Sequence, residues 1–91
     1  MLAVNTTSVA AGSPVTVTLT NGFGGAGDWI AFANAAAPDT SVLQYVNVGT
    51  NVTTRTWTVT VPTTGSGSYE FRLFRDGGYV RAATSPTVTV Q

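Results

Sequence analysis

Apolar and polar residues alternate at every second position through most of this chain, and that period belongs to extended strands with one face buried. In Val15-Thr16-Val17-Thr18-Leu19 the apolar residues share one side and the threonines the other. The pattern returns at Trp57, Val59 and Val61 against Thr56, Thr58 and Thr60, at Tyr69, Phe71 and Leu73 against Glu70 and Arg72, and at Val88 and Val90 against Thr87 and Thr89. No segment carries a 3.6-residue apolar repeat over three turns, and the helix-prone run at 33–37 is bounded by Asn34 and Pro38. With 17 Thr and 13 Val among 91 residues, β-branched side chains supply both faces, valine for the interior and threonine for a wet, pleated surface.

Gly, Pro and Asn clusters punctuate the alternation at 11–14, 21–27, 38–41, 49–51, 62–68, 76–78 and 85–86. The spacing predicts about seven strands, at 2–6 (A), 15–20 (B), 28–34 (C), 43–48 (C′ or D), 55–61 (E), 68–75 (F) and 79–90 (G, broken near Pro86). Asp76-Gly77-Gly78 reads as the hairpin turn between F and G, because glycine accepts the positive φ of tight hairpins. Seven antiparallel strands with turns every 8–12 residues predict an all-β, immunoglobulin-like sandwich occupying residues 1–91 as a single domain. Strand C admits two registers, and a slip of one residue exchanges them. Ile30 and Phe32 bury apolar area more evenly than Trp29, Ala31 and Ala33, so the expected register turns Ile30 and Phe32 inward and leaves Trp29 outside.

Composition then excludes chemistry. The chain has no His, no Cys and no Lys, with four Arg and four acidic residues for a formal net charge of zero. A Ser-His-Asp triad, a cysteine nucleophile and an ordinary zinc or copper site are therefore out of reach, and four carboxylates do not readily build a calcium cage. Charged residues at 9% provide no basic footprint for nucleic acid. The apolar runs, such as 29–33, fall far short of the ~20 residues of a spanning helix. We expect no enzyme activity and no cofactor. Met1 runs into a Val/Thr pattern without a basic segment and apolar core, so the chain reads as a domain of a longer precursor. Low charge without Lys or Cys points to a bacterial extracellular or cell-surface setting.

Two constellations stand out. Asp28 and Arg72 lie on strands expected to be neighbours and form a candidate cross-strand ion pair that would set register. Trp29, Tyr45, Arg72, Phe74 and Tyr79 form a candidate ligand face on the C–F–G sheet, where aromatic rings would stack on sugars if three lay coplanar. Trp57, Tyr69 and Phe71 alternate with polar residues as core positions do. The Gly22-Phe23-Gly24-Gly25 loop lacks the Lys and following helix of a phosphate cradle and is read as a turn. Asn5-Thr6-Thr7 and Asn51-Val52-Thr53 match the glycosylation acceptor, a match that Thr-rich sequence produces by chance.

Asp28-Trp29-Ile30-Ala31-Phe32, Tyr69-Glu70-Phe71-Arg72-Leu73-Phe74 and the ending from Gly78-Tyr79 through Ala83-Thr84-Ser85 to Val90 resemble a recurring bacterial module. It is similar to the Ig-like or fibronectin type III-like accessory domains of extracellular multidomain proteins, including polysaccharide-degrading enzymes. The resemblance implies a non-catalytic spacer whose partners are neighbouring domains, and it brings no catalytic residues. A carbohydrate-binding module using the exposed aromatics is the alternative expectation. A third is an assembly module, since strands A and C′ would be nearly uncharged sheet edges; a monomer is expected, with weak edge-strand pairing as the route to a dimer.

Overall fold

The computed structural model describes residues 1–63 and 67–91. Nine strands follow one another among them: β1 (Leu2–Val4), β2 (Ser8–Val9), β3 (Pro14–Leu19), β4 (Trp29–Asn34), β5 (Gln44–Asn47), β6 (Arg55–Thr60), β7 (Gly67–Arg75), β8 (Val80–Thr84) and β9 (Val88–Val90). No helix occurs among the described residues. Of the turn expected at 62–68, residues 64–66 lie outside the description.

The strands form two sheets. One is antiparallel and runs β1-β3-β6; the other runs β2-β9-β7-β4-β5, with β8 beside β9 along the same edge of β7. All pairings are antiparallel except β2 with β9. The strand expected at 2–6 ends early, as β1, and a second short strand that no expected strand covers, β2, follows it in the other sheet. Between them Asn5 turns the chain, its side-chain oxygen accepting the Thr16 amide at 2.9 Å, while the Thr6 hydroxyl donates to the Ser8 carbonyl at 3.0 Å. The last expected strand is divided at Ser85-Pro86, where proline cannot donate to a ladder. The Ser85 hydroxyl accepts the Phe71 amide at 2.9 Å there and keeps β7 paired through the break.

The two sheets enclose one core in a sandwich-like arrangement. Val15, Val17, Leu19 and Val59 from the first sheet meet Ile30, Phe32, Phe71, Leu73 and Val88 from the second, all at most 1% exposed. These are the residues that alternation turns inward, and Ile30 and Phe32 face the core as the area argument required. Phe32 lies between the rings of Tyr69 and Phe71, each 5.2 Å away. On the other faces of β3 and β6 threonines dominate, and Thr16 and Thr58 share a hydrogen bond of 2.9 Å across the two strands.

One departure from simple alternation positions everything that follows. Ala31 and Ala33 on β4, and Glu70, Arg72 and Phe74 on β7, point away from the core yet are also buried. The six-stranded sheet is thus covered on its outer side as well, by the loop between β4 and β5 at one end and by aromatic rings at the other.

Candidate functional site

The covered end of the outer face is built on Arg72. Register sets Arg72 opposite Ala31 and Glu70 opposite Ala33, and methyl side chains leave room for two long polar ones. After Asn34 the chain turns back over the sheet, with the Asn34 side-chain oxygen accepting the Ala36 amide and its carbonyl accepting the Ala37 amide. That turn delivers a row of carbonyls to the guanidinium. Arg72 donates to the backbone oxygens of Asn34 (3.2 Å), Ala35 (3.4 Å), Ala37 (2.9 Å) and Pro38 (3.3 Å), and its Nε donates to Glu70 at 2.7 Å. Asp39, just past Pro38, stands 3.8 Å from Arg72 and pairs closely with Arg81 of β8, which also reaches Glu70 at 3.3 Å. Two cations alternate with two anions, so four of the eight charged side chains neutralise one another. Arg72 is 1% exposed and has no face left for a ligand.

The expected Asp28–Arg72 pair does not form, because β4 register carries Arg72 to Ala31, three residues beyond Asp28. Asp28 is buried and serves backbone groups instead, accepting the amides of Gly25 at 3.3 Å and Asp76 at 3.2 Å. It thereby ties the glycine-rich loop after β3 to the turn between β7 and β8. The two segments approach so closely that a Cβ on Gly27 would lie 2.8 Å from the Gly77 nitrogen, and Gly77 donates to the Gly27 carbonyl at 2.7 Å. In that turn Asp76 (φ 59°) and Gly77 (φ 71°) are both left-handed, as a mirror-image hairpin turn demands, and the Gly78 amide closes it on the Arg75 carbonyl.

The open end of the outer face is aromatic. Trp29 begins β4, half-buried, with its indole N–H donating to the Gly78 carbonyl at 3.1 Å. Phe74, its register partner on β7, backs the indole at 4.7 Å. Tyr45 on β5 and Tyr79 in the β7–β8 turn flank it from opposite sides of β4, with centroids 5.8 and 5.7 Å away and planes inclined by 82° and 81°. Tyr45 is 64% exposed and Tyr79 50%, whereas Phe74 is fully buried beneath Trp29 and Tyr79. Together with Leu43, Thr40 and Asn47 the three outer rings line an open groove of about 610 Å³.

Of the five residues of the expected ligand face, Trp29, Tyr45 and Tyr79 therefore come together at an accessible surface. Arg72 and Phe74 are on that sheet face but sealed, Arg72 by the loop and Phe74 by its neighbouring rings. The rings are not coplanar, so the flat stacking platform is replaced by a cleft. Leu43, 55% exposed and lining the groove with Tyr45, is a member that the expected ligand face did not include, although alternation over 43–48 sets it on the same side as Tyr45. Among the described residues no group of three or more His, Cys, Asp or Glu side chains is placed to hold a metal ion. Among the described residues there is no helix long and apolar enough to cross a membrane. No protein-family model matches the chain, and no curated protein resembles it in sequence.

Proposed function

We propose that this chain is an Ig-like, non-catalytic accessory module that spaces neighbouring domains of a larger exported bacterial protein. The strand order supports the fold type: β1-β3-β6 facing β9-β7-β4-β5 corresponds to strands A-B-E facing G-F-C-C′, with β2 as the switched half of strand A. The spacer role rests on the placement of the two chain ends. Met1 is held at the Leu19 end of β3, its amino group donating to the Thr20 carbonyl at 2.7 Å. Gln91 is held at the other end, its amide donating to Val9 at 2.8 Å, while the neighbouring Ala10 carbonyl accepts the Ser13 amide just before β3 starts. A chain that enters one end and leaves the other would extend a string of domains, and the longest dimension of one module is 36 Å. Two copies fused end to end test this by small-angle X-ray scattering. The maximum dimension should grow by about the 36 Å of one module; a fused pair that folds back to the width of two copies side by side removes the spacer reading.

The groove over Trp29 supports a second reading, a carbohydrate-binding module. Large aromatic residues exposed next to one another in a concave, uncharged surface are the feature that a pure spacer leaves without a use.

A further inference from the structure

We propose that the groove over Trp29 takes a single, soluble, neutral saccharide chain, one sugar ring seated on the indole between Tyr45 and Tyr79, and does not take the flat face of a crystalline polysaccharide. The proposal rests on the carbohydrate-binding reading above and specifies its ligand.

Ring orientation carries the argument. A crystalline face is matched by rings lying in one plane, but the planes of Tyr45 and Tyr79 stand 82° and 81° from that of Trp29. In sheet order β5 and the β7–β8 turn lie on opposite sides of β4, so the tyrosines rise as two walls with the indole between them. A flat array of chains meets those walls before it meets the indole, while one chain fits between them. At about 610 Å³ the groove lies within the ~300–1,000 Å³ of ordinary small-molecule sites.

Charge selects next. No Arg, Asp or Glu lines the groove. The charge cluster at the other end of this face, Arg72, Glu70, Asp39 and Arg81, is internally neutralised, and the residues that adjoin Gly27 and Gly77 in the chain, Asp28 and Asp76, are carboxylates that would repel an anion. A uronate or sulfated chain would find no counter-charge, whereas neutral hydroxyls meet Thr40, Asn47 and the two tyrosine hydroxyls.

Hydrogen bonding separates a sugar from an extended proline-rich peptide, the other chain that favours aromatic grooves. Such a peptide presents chiefly backbone carbonyls, which need donors. The Trp29 N–H is already given to the Gly78 carbonyl, so the floor of the groove offers a ring surface without its donor, and the side chains left to donate are those around the indole, Thr40, Asn47 and the two tyrosines. Stacking of an apolar sugar face uses that surface and leaves the N–H bond intact.

Isothermal titration calorimetry of the unaltered chain tests the proposal, with cello-, xylo- and chito-hexaose as neutral probes. Oligogalacturonate serves as the charged probe and deca-proline as the peptide probe, and pull-down on microcrystalline cellulose and chitin runs in parallel. We expect saturable binding of at least one neutral hexaose, weakened at least about tenfold in Tyr45→Ala and in Tyr79→Ala, with little retention on the crystalline solids. Both tyrosines are half or more exposed, so these variants should keep the parent unfolding midpoint. Retention on crystalline solids without hexaose binding overturns the cleft while leaving carbohydrate binding standing. Preference for oligogalacturonate overturns the neutral ligand. Binding of deca-proline alone, or of nothing, overturns both this proposal and the carbohydrate reading.

Discussion

At one end of the outer face of β4 and β7, Arg72 is sealed beneath a loop and donates to four backbone carbonyls; at the other end, Trp29 lies half-open between two exposed tyrosines. Both ends are built on the same two strands and in the same register. They differ in what the side chains demand. A guanidinium carries five donors that burial must satisfy, and the segment after Asn34 supplies the carbonyls. Aromatic rings demand only area, which they partly give one another, so no further segment is needed to cover them. The polar end is therefore closed by its own hydrogen bonds, and the accessible surface on this face is the uncharged one.

Removing Arg72 should break this division most severely. Arg72→Ala leaves the Glu70 carboxylate buried beside Arg81 alone and frees four carbonyls, at a cost of about 3–5 kcal/mol in urea unfolding. Arg72→Lys should recover only part of that, because an ammonium cannot reproduce the fork. A loss for Arg72→Ala within about 0.5 kcal/mol, the range of ordinary surface substitutions, would show that the loop is held by something else.

The inner face supplies the reference for the aromatic end. Phe32→Ala, in the core between Tyr69 and Phe71, should cost about 3–5 kcal/mol, whereas Trp29→Ala should cost less, about 1–2 kcal/mol, because its ring is only partly buried and lies outside the core. Denaturant unfolding of the pair side by side checks the ranking, and its reversal would make Trp29 a core residue. Asp28→Ala should cost about 1–3 kcal/mol, less than Phe32→Ala, since two backbone amides lose their acceptor. It should also raise hydrogen exchange in the turn that carries Tyr79; unchanged exchange there would show that the Gly27–Gly77 contact braces the turn without Asp28.

Much of this was legible in the sequence. Alternation located the strands to within a residue or two at most boundaries, and the Val15, Val17, Val59, Phe71 and Leu73 faces are inward as the period requires. Trp29, Tyr45 and Tyr79 were recognisable as outer-face aromatics. Alternation sets Arg72 and Glu70 on the polar side of their strand but does not show that they are buried, because it describes a strand in isolation and says nothing of a loop that returns over it. A faint mark was present, for Ala31 and Ala33 are smaller than a solvent-facing strand in a Thr-rich chain requires. The early end of the first strand turns on the Asn5 side chain reaching Thr16, a contact eleven residues away that no periodic pattern records. The Asp28–Arg72 pair failed for a related reason: strand neighbours were identified correctly, but pairing depends on register to the residue.

On the proposed function, the open aromatic end is where this molecule meets a ligand and the sealed end is not. Amide and indole chemical-shift mapping of the unaltered chain during titration with neutral hexaoses tests it directly. Shifts should concentrate at the Trp29 indole, at Gly27, along residues 40–47 and at Gly77 and Tyr79, with residues 34–39 and β1, β3 and β6 unmoved. Shifts centred on the Arg72 loop or on the β1-β3-β6 sheet, or a spectrum that no hexaose changes, would contradict it.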